Sequence, residues 1–310
     1  MAPAQPVPVT GVDPAAEARL MRWATYASTA TAALLIATKL AAWLATDSVA
    51  LLSTLIDSTI DLAASVLTLA AVRQALQPAD RDHRFGHGKV EALAGLGQAA
   101  FILGSAGLLA SEALGRLVHP VPVSHGGWGI AAMGVSILAT LALLAFQRRV
   151  VARTRSLAIR ADSLHYAGDV ALNLSVILSL LLAMGPGWAL ADPLFAIGIA
   201  AWLMVSAGGI ARGAIATLMD QELPEPERQR IRALAVAHPE VIGLHDLRTR
   251  SSGRQGFIQL HLVLPGQLPL VEAHRIADQV EAAILAEFPR FEVIIHQDPD
   301  GLAEPHPLPE

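Results

Sequence analysis

The chain contains no cysteine. Disulfides, thiolate nucleophiles and sulfur-ligated metal sites are thereby excluded, and any metal must be held by His, Asp and Glu. Charge is scarce as well: Asp, Glu, Lys and Arg make up 16% of the 310 residues, where a soluble domain carries about a quarter. The net charge of −5 and a pI near 6.1 show no sign of the clustered basic surface that nucleic acid demands. DNA and RNA are set aside as partners. The opening stretch, MAPAQPVPVTGVDPAAEAR, lacks a basic region ahead of an apolar core and is read not as a signal peptide but as a disordered tail, residues 1–21.

Apolar residues are plentiful, at 53% of the chain, with a mean hydropathy of +0.48. Runs able to cross a hydrocarbon layer of ~30 Å, about 20 residues each, fall near 23–46, 49–76, 91–118, 127–150, 157–184 and 191–215. The expectation is an α-helical membrane domain of six transmembrane helices over 22–215. HPVPVSHGG and MGPGW separate spans three and four and spans five and six, and hold no Lys or Arg. The other connectors carry Arg73, Arg81, Arg84 and Lys89, then Arg148, Arg149, Arg153 and Arg155, while Arg19 and Arg22 precede span one. The positive-inside rule places both termini and these loops in the cytoplasm.

Past the last apolar run the pattern changes. ELPEPERQRIRALAVAHPE reads as an amphipathic helix, VIGLHDLRTRSSG and RQGFIQLHLVLPG as two strands joined by a Ser-Gly turn, LPLVEAHRIADQVEAAILAEF as a helix and FEVIIHQDP as a third strand. The αββαβ order predicts a small α+β cytoplasmic domain over 216–300, a sheet with helices on one face. Residues 301–310 are read as a second disordered tail.

Ionisable groups inside apolar spans are costly and usually serve the pathway. Span two holds LIDSTIDLAAS and span five LHYAGDVALN, so Asp57 and Asp61, and likewise His165 and Asp169, stand four apart on one helical face. Three carboxylates meeting in low dielectric repel one another; a divalent cation resolves the conflict. One nitrogen and three oxygens suit tetrahedral Zn²⁺, whereas Mg²⁺ and Ca²⁺ ask for six or more oxygens. Asp162 is assigned to an interhelical hydrogen bond or a snorkelling position outside this set. Lys39 either lines the same cavity or snorkels and pairs elsewhere.

With these residues the chain resembles the cation diffusion facilitator family, of the bacterial ferrous-iron and zinc efflux type. The likeness rests on DSTID, QPADRDHRFGHGKVEALAGL, HYAGD, LMDQELP, HDLRTR, IQLHL and VIIHQDP in order, and runs from about 22 to 300. The resemblance implies proton-driven efflux of divalent cations, a homodimer in the bacterial inner membrane, and a ferredoxin-like cytoplasmic domain. It places the transport site on Asp57, Asp61, His165 and Asp169, a loop site on Asp80, His83 and His87, and a binuclear site on His245, His261, His274, His296 and Asp298. It matches Lys89 and Asp220 to a charge pair at the dimer interface and Leu164 to an apolar gate. His119, His125, His238 and His306 match no ligand of the family. Zn²⁺ is expected as both cargo and regulator, with no organic cofactor. Two other classes of protein fit these residues less well. A membrane-anchored metal sensor or scaffold does not need charged pairs in two spans, and an intramembrane zinc hydrolase lacks HExxH or a comparable arrangement. Within transport, Mn²⁺ or Fe²⁺ preference stays open.

Overall fold

The computed structural model describes residues 13–46, 49–118, 127–184 and 190–301. It forms two compact units, one over 13–215 and one from Ala216 onward.

The first unit consists of long helices: α1 (Pro14–Thr46), α2 (Val49–Ala75), α3 (Lys89–Val118), α4 (Gly127–Thr154), α5 (Leu157–Met184) and α6 (Ala191–Leu218). The shortest, α2, has 27 residues, and at 1.5 Å per residue its ~40 Å exceeds the hydrocarbon thickness. Among the described residues, α3, the Gly134–Thr154 part of α4, and α6 are both long and apolar enough to cross a bilayer. The acidic and imidazole side chains singled out above lie on α2 and α5 instead.

The start of α1 corrects one expectation. Residues 14–21, read as part of a disordered tail, are helical. Asp13 caps them, its Oδ1 accepting from the Ala15 N–H at 2.9 Å; Pro14 occupies the first turn, where it needs no donor; and Met21 is fully buried. The remainder of that tail and residues 302–310, with His306, lie outside the described residues, as do His119 and His125.

Small residues let the helices approach. Ala99, Ala106, Ala161, Ala200 and Ala207 are buried where α3, α5 and α6 meet, with Ile102, Leu203 and Ile210 filling between them, the packing expected where apolar burial cannot drive association. A Cβ on Gly168 would stand 3.1 Å from Leu203 Cδ2, so this glycine sets the close contact of α5 with α6. On the other side of the unit Met21, Val72, Val150 and Ile159 join α1, α2, α4 and α5. Leu108, Leu138 and Val205 point outward, more than two-thirds exposed, which suits a lipid surround. Between α4 and α5 the chain breaks for two residues: Arg155 takes a φ of 55°, and Ser156 Oγ accepts from the Ile159 N–H at 3.2 Å to start the next helix.

The second unit runs α7 (Glu225–Ala235), β1 (Gly243–Ser252), β2 (Gln255–Leu264), α8 (Leu270–Glu287) and β3 (Phe291–Pro299), the αββαβ order that the sequence predicts. The sheet order is β1-β2-β3. β1 and β2 pair antiparallel through a hairpin whose Gly253 has a φ of 67°, a value that favours glycine; β2 and β3 pair parallel, joined by α8. Ile258, Leu260, Leu262 and Leu264 alternate onto one face of β2 and are buried with Ile231 and Ala235 of α7 and Ile276, Val280 and Ile284 of α8. The alternation leaves Gln259 and His261 on the opposite face.

Candidate functional site

Four groups of His and carboxylate side chains come together among the described residues, two in the helical unit and two, sharing one histidine, in the sheet unit.

In the helical unit Asp61 of α2 faces the His165 and Asp169 pair of α5. His165 Nε2 lies 2.9 Å from Asp61 Oδ1 and 3.8 Å from Asp169 Oδ2. All three side chains are partly buried, and one ligand atom from each falls within 4.8 Å of the others. Asp57 lies in α2 one turn before Asp61; its side chain is outside the described residues. A cavity of about 90 Å³ adjoins the group, lined by His165, Asp169, Gly168 and Ser105 with apolar neighbours from α3, α5 and α6. The Phe101 ring stands 5.9 Å from the imidazole. Leu164 packs with the α3, α5 and α6 core. Lys39 reaches from α1 to α2, where its Nζ donates to Ser58 Oγ at 2.5 Å.

Asp162 does not snorkel. It is fully buried and hydrogen-bonded across helices, to Ser28 of α1 and Gln147 of α4, the interhelical alternative of the sequence reading.

The loop between α2 and α3 places Asp80 at the centre of the second group. Its Oδ1 accepts from the backbone N–H of Asp82 at 3.0 Å and of His83 at 2.7 Å, an Asx turn. His87 Nε2 lies 3.2 Å from Asp80 Oδ2 and His83 Nδ1 3.4 Å from Oδ1, with the two rings 4.6 Å apart. Gly86 makes the return possible at a φ of 75°. The His83 amide foremost holds the Asp80 carboxyl below the usual carboxylate range.

In the sheet unit, register builds the site. His245 of β1 stands opposite His261 of β2, which stands opposite His296 of β3, so three imidazoles cross three strands side by side. Asp298, two residues beyond His296, shares their face. Its Oδ2 lies 3.0 Å from His245 Nε2 and 2.8 Å from His261 Nδ1, and its Oδ1 lies 3.1 Å from His296 Nε2. Oδ1 is buried without an aligned hydrogen bond, an acceptor that a cation would satisfy. Imidazoles with carboxylate form a donor set that fits Zn²⁺.

Asp246 belongs to this cluster and was missed by sequence reasoning. His245, Asp246 and His261 form one group and His261, His296 and Asp298 another, sharing His261. Alternation would turn Asp246 away from His245. A register shift after His245, with Asp246 at a φ of 47°, turns it back. Asp is one of the few residues that tolerate that conformation, which is the only local signal the sequence carries. His274 does not join the cluster in this chain: it lies exposed on α8, 3.7 Å from Asp278, because the opposite face of α8 supplies the core residues Ile276, Val280 and Ile284. His238 bonds Gln279 at 2.8 Å and ligates nothing among the described residues. Lys89 opens α3 in the helical unit. Asp220, at a φ of 55° in the sheet unit, accepts from Arg250 at 3.4 Å.

Comparisons with known proteins converge on one group. The family model described as cation efflux transmembrane domain matches residues 25–219, and the one described as cation efflux protein, cytoplasmic domain, matches 223–300. The cation-efflux pump FieF of Klebsiella pneumoniae is 48% identical over 284 residues, 92% of this chain and 94% of that protein. FieF of Escherichia coli O1:K1 / APEC is 48% identical over 281 residues, 91% of this chain and 93% of that protein. Among solved structures, the metal-bound C-terminal domain of CzcD transporter from Thermotoga maritima is 26% identical over 26% of this chain and 93% of its own, with a TM-score of 0.25, too low to argue from.

Proposed function

Since this chain belongs to the cation efflux family, and is a transporter and not an enzyme, we propose that it moves divalent cations, Zn²⁺ foremost, out of the cytoplasm in exchange for protons. The observation that carries this reading is the convergence of Asp61, His165 and Asp169 from two long helices beside a small cavity. Asp57, one turn from Asp61, is the fourth ligand in this reading. Anchoring alone would need none of them.

The cation is the cargo. A ligand set of one imidazole and three carboxylates favours Zn²⁺ and Cd²⁺ over Mg²⁺ and Ca²⁺ and admits Fe²⁺ and Mn²⁺ more weakly. Metal needs a neutral His165 and ionised carboxylates, so binding expels protons and release readmits them. In an alternating-access cycle the helices carry the site from one side to the other, with Leu164 as an apolar gate. All six helices span the membrane in this reading, over 22–215, with the basic connectors and both termini in the cytoplasm of a bacterial inner membrane. The sheet unit, 216–300, is a ferredoxin-like regulatory domain of a homodimer. His245, Asp246, His261, His296 and Asp298 would hold two Zn²⁺ ions there, with His274 as an outlying ligand; Asp80, His83 and His87 would hold another. Lys89 and Asp220 pair at the dimer interface in the same reading. Metal on the cytoplasmic sites biases the cycle only if its affinity differs between conformations.

The test is tracer uptake into proteoliposomes of the full chain, with an imposed pH gradient and a series of Zn²⁺, Cd²⁺, Fe²⁺ and Mn²⁺. Gradient-dependent uptake with Zn²⁺ fastest is the expected result. Uptake indifferent to the gradient contradicts antiport, and equal or faster Mn²⁺ contradicts the zinc preference.

A further inference from the structure

Asp162 precedes His165 by one helical turn and takes no part in the cation-binding group. Its carboxyl is met from three other helices. Oδ2 accepts from Ser28 Oγ of α1 and from Gln147 Nε2 of α4, both at 2.6 Å, and Oδ1 accepts from Gln98 Nε2 of α3 at 3.5 Å. All three donors are neutral. An ionised carboxylate enclosed in this way is unfavourable unless something nearby compensates it.

Two features suit the enclosure to either protonation state. Gln98 and Gln147 both turn their NH₂ groups to the carboxyl, which leaves Oε1 of each buried and without a hydrogen-bond partner among the described residues. A half-turn of either amide replaces a donor with an acceptor, which is what a protonated carboxyl needs. A chain of hydroxyls also leads away. Ser28 Oγ lies 3.1 Å from Ser65 Oγ, and Ser65 Oγ 2.8 Å from Tyr166 Oη. Ser65 stands one turn from Asp61 on α2, and the Tyr166 ring lies 5.7 Å from that of His165. The groups around Asp162 are thus Ser28 of α1, Gln98 of α3 and Gln147 of α4, which bond it, Ser65 and Thr68 of α2, which bond Ser28 and Gln98, and Tyr166 and His165 of its own helix. Only the last two titrate.

We propose that Asp162 is a proton-carrying site of the exchange cycle, separate from the groups that ligate the cation. The inference rests on the antiport reading above. With the cation absent, Asp162 is the neutral acid. An entering divalent cation brings two positive charges to within a helical turn and stabilises the carboxylate. The O–H bond at Oδ2 breaks and its proton passes to Ser28 Oγ as that hydroxyl yields its own to Ser65 Oγ and Ser65 to Tyr166 Oη, the Tyr166 hydroxyl giving up its own proton to bulk water. One proton leaves and one negative charge stays, so the charge that cation entry adds to the buried region is smaller by one unit than it would be without Asp162. Cation release reverses each transfer.

The experiment counts protons exported per Zn²⁺ imported, and the pH dependence of flux, in proteoliposomes of wild type, Asp162→Asn and Gln147→Leu, with Zn²⁺ binding followed by calorimetry. Asp162→Asn is expected to bind Zn²⁺, to move one proton fewer per ion, and to lose one titration step from its flux profile. Gln147→Leu, which keeps the carboxyl but removes an amide, is expected to keep the proton count and displace that step. An Asp162→Asn protein with the wild-type proton count and pH profile reduces Asp162 to a structural strut and overturns the inference. If Asp162→Asn does not fold, Zn²⁺-induced infrared difference spectra decide: a carboxylic-acid band lost on Zn²⁺ binding and shifted in Gln147→Leu supports the site, and no band sensitive to Gln147 overturns it. Zn²⁺ movement by wild type with no protons at all refutes the antiport reading itself.

Discussion

His261 stands directly between His245 and His296 across the three strands of the sheet unit, and both candidate metal groups there use it. One side chain therefore couples two sites.

Removing it should cost more than removing either neighbour. His261→Ala is expected to lose both Zn²⁺ ions from the cytoplasmic domain, His296→Ala one, and Asp246→Asn to weaken only the ion shared by His245 and His261. Roughly 10- to 100-fold weaker affinity is the scale for a lost supporting group. Calorimetric stoichiometry on variants that also carry Ala at His83 and His87 checks it. Equal losses in all three would show that the two groups are not separate.

The loop site has a pH signature. Because backbone N–H groups favour the ionised Asp80 carboxyl, its value is depressed, and the turn it organises is stabilised above the ordinary carboxyl range and loosens only as pH falls through the lowered value. Carbon-13 titration of the Asp80 carboxyl should give a midpoint below about 4, the ordinary carboxyl value. A midpoint above that value would mean the Asx turn is not formed.

Gly256 is the second residue of β2, where it pairs with Phe291 of β3. A Cβ there would stand 2.1 Å from Phe291 Cε1, and that ring is packed edge-on against Phe288 at 5.6 Å. Gly256→Ala should destabilise the sheet unit by about 1–3 kcal/mol, the usual cost of overpacking, seen as a lower Tm. An unchanged Tm would mean that the Phe291 ring moves freely.

What the sequence made legible was whatever repeats with a local period. The i, i+4 spacing of Asp57 with Asp61 and of His165 with Asp169 needs only a helix, and the alternation along FIQLHLVL puts His261 opposite the core face by itself. Long-range packing was another matter. The partners of Asp162 come from helices up to 134 residues away in sequence, and no local pattern announces them. Asp246 turns inward through a single irregular residue, which breaks the alternation that served for its neighbours. The placement of His274 came from motif likeness, whereas the face of α8 is decided by its core residues. The start of α1 carried a readable signal, Asp followed by Pro, that the surrounding proline-rich composition obscured.

The central claim is that Asp61 and His165 hold the transported ion, and tracer Zn²⁺ flux under an imposed pH gradient tests it most directly. In proteoliposomes matched for protein content, Asp61→Ala and His165→Ala should each fall by roughly 100-fold or more against wild type, the loss of a ligand exceeding that of a supporting group, while His238→Ala should transport as wild type does. If Asp61→Ala and His165→Ala carry Zn²⁺ at the wild-type rate, the site lies elsewhere.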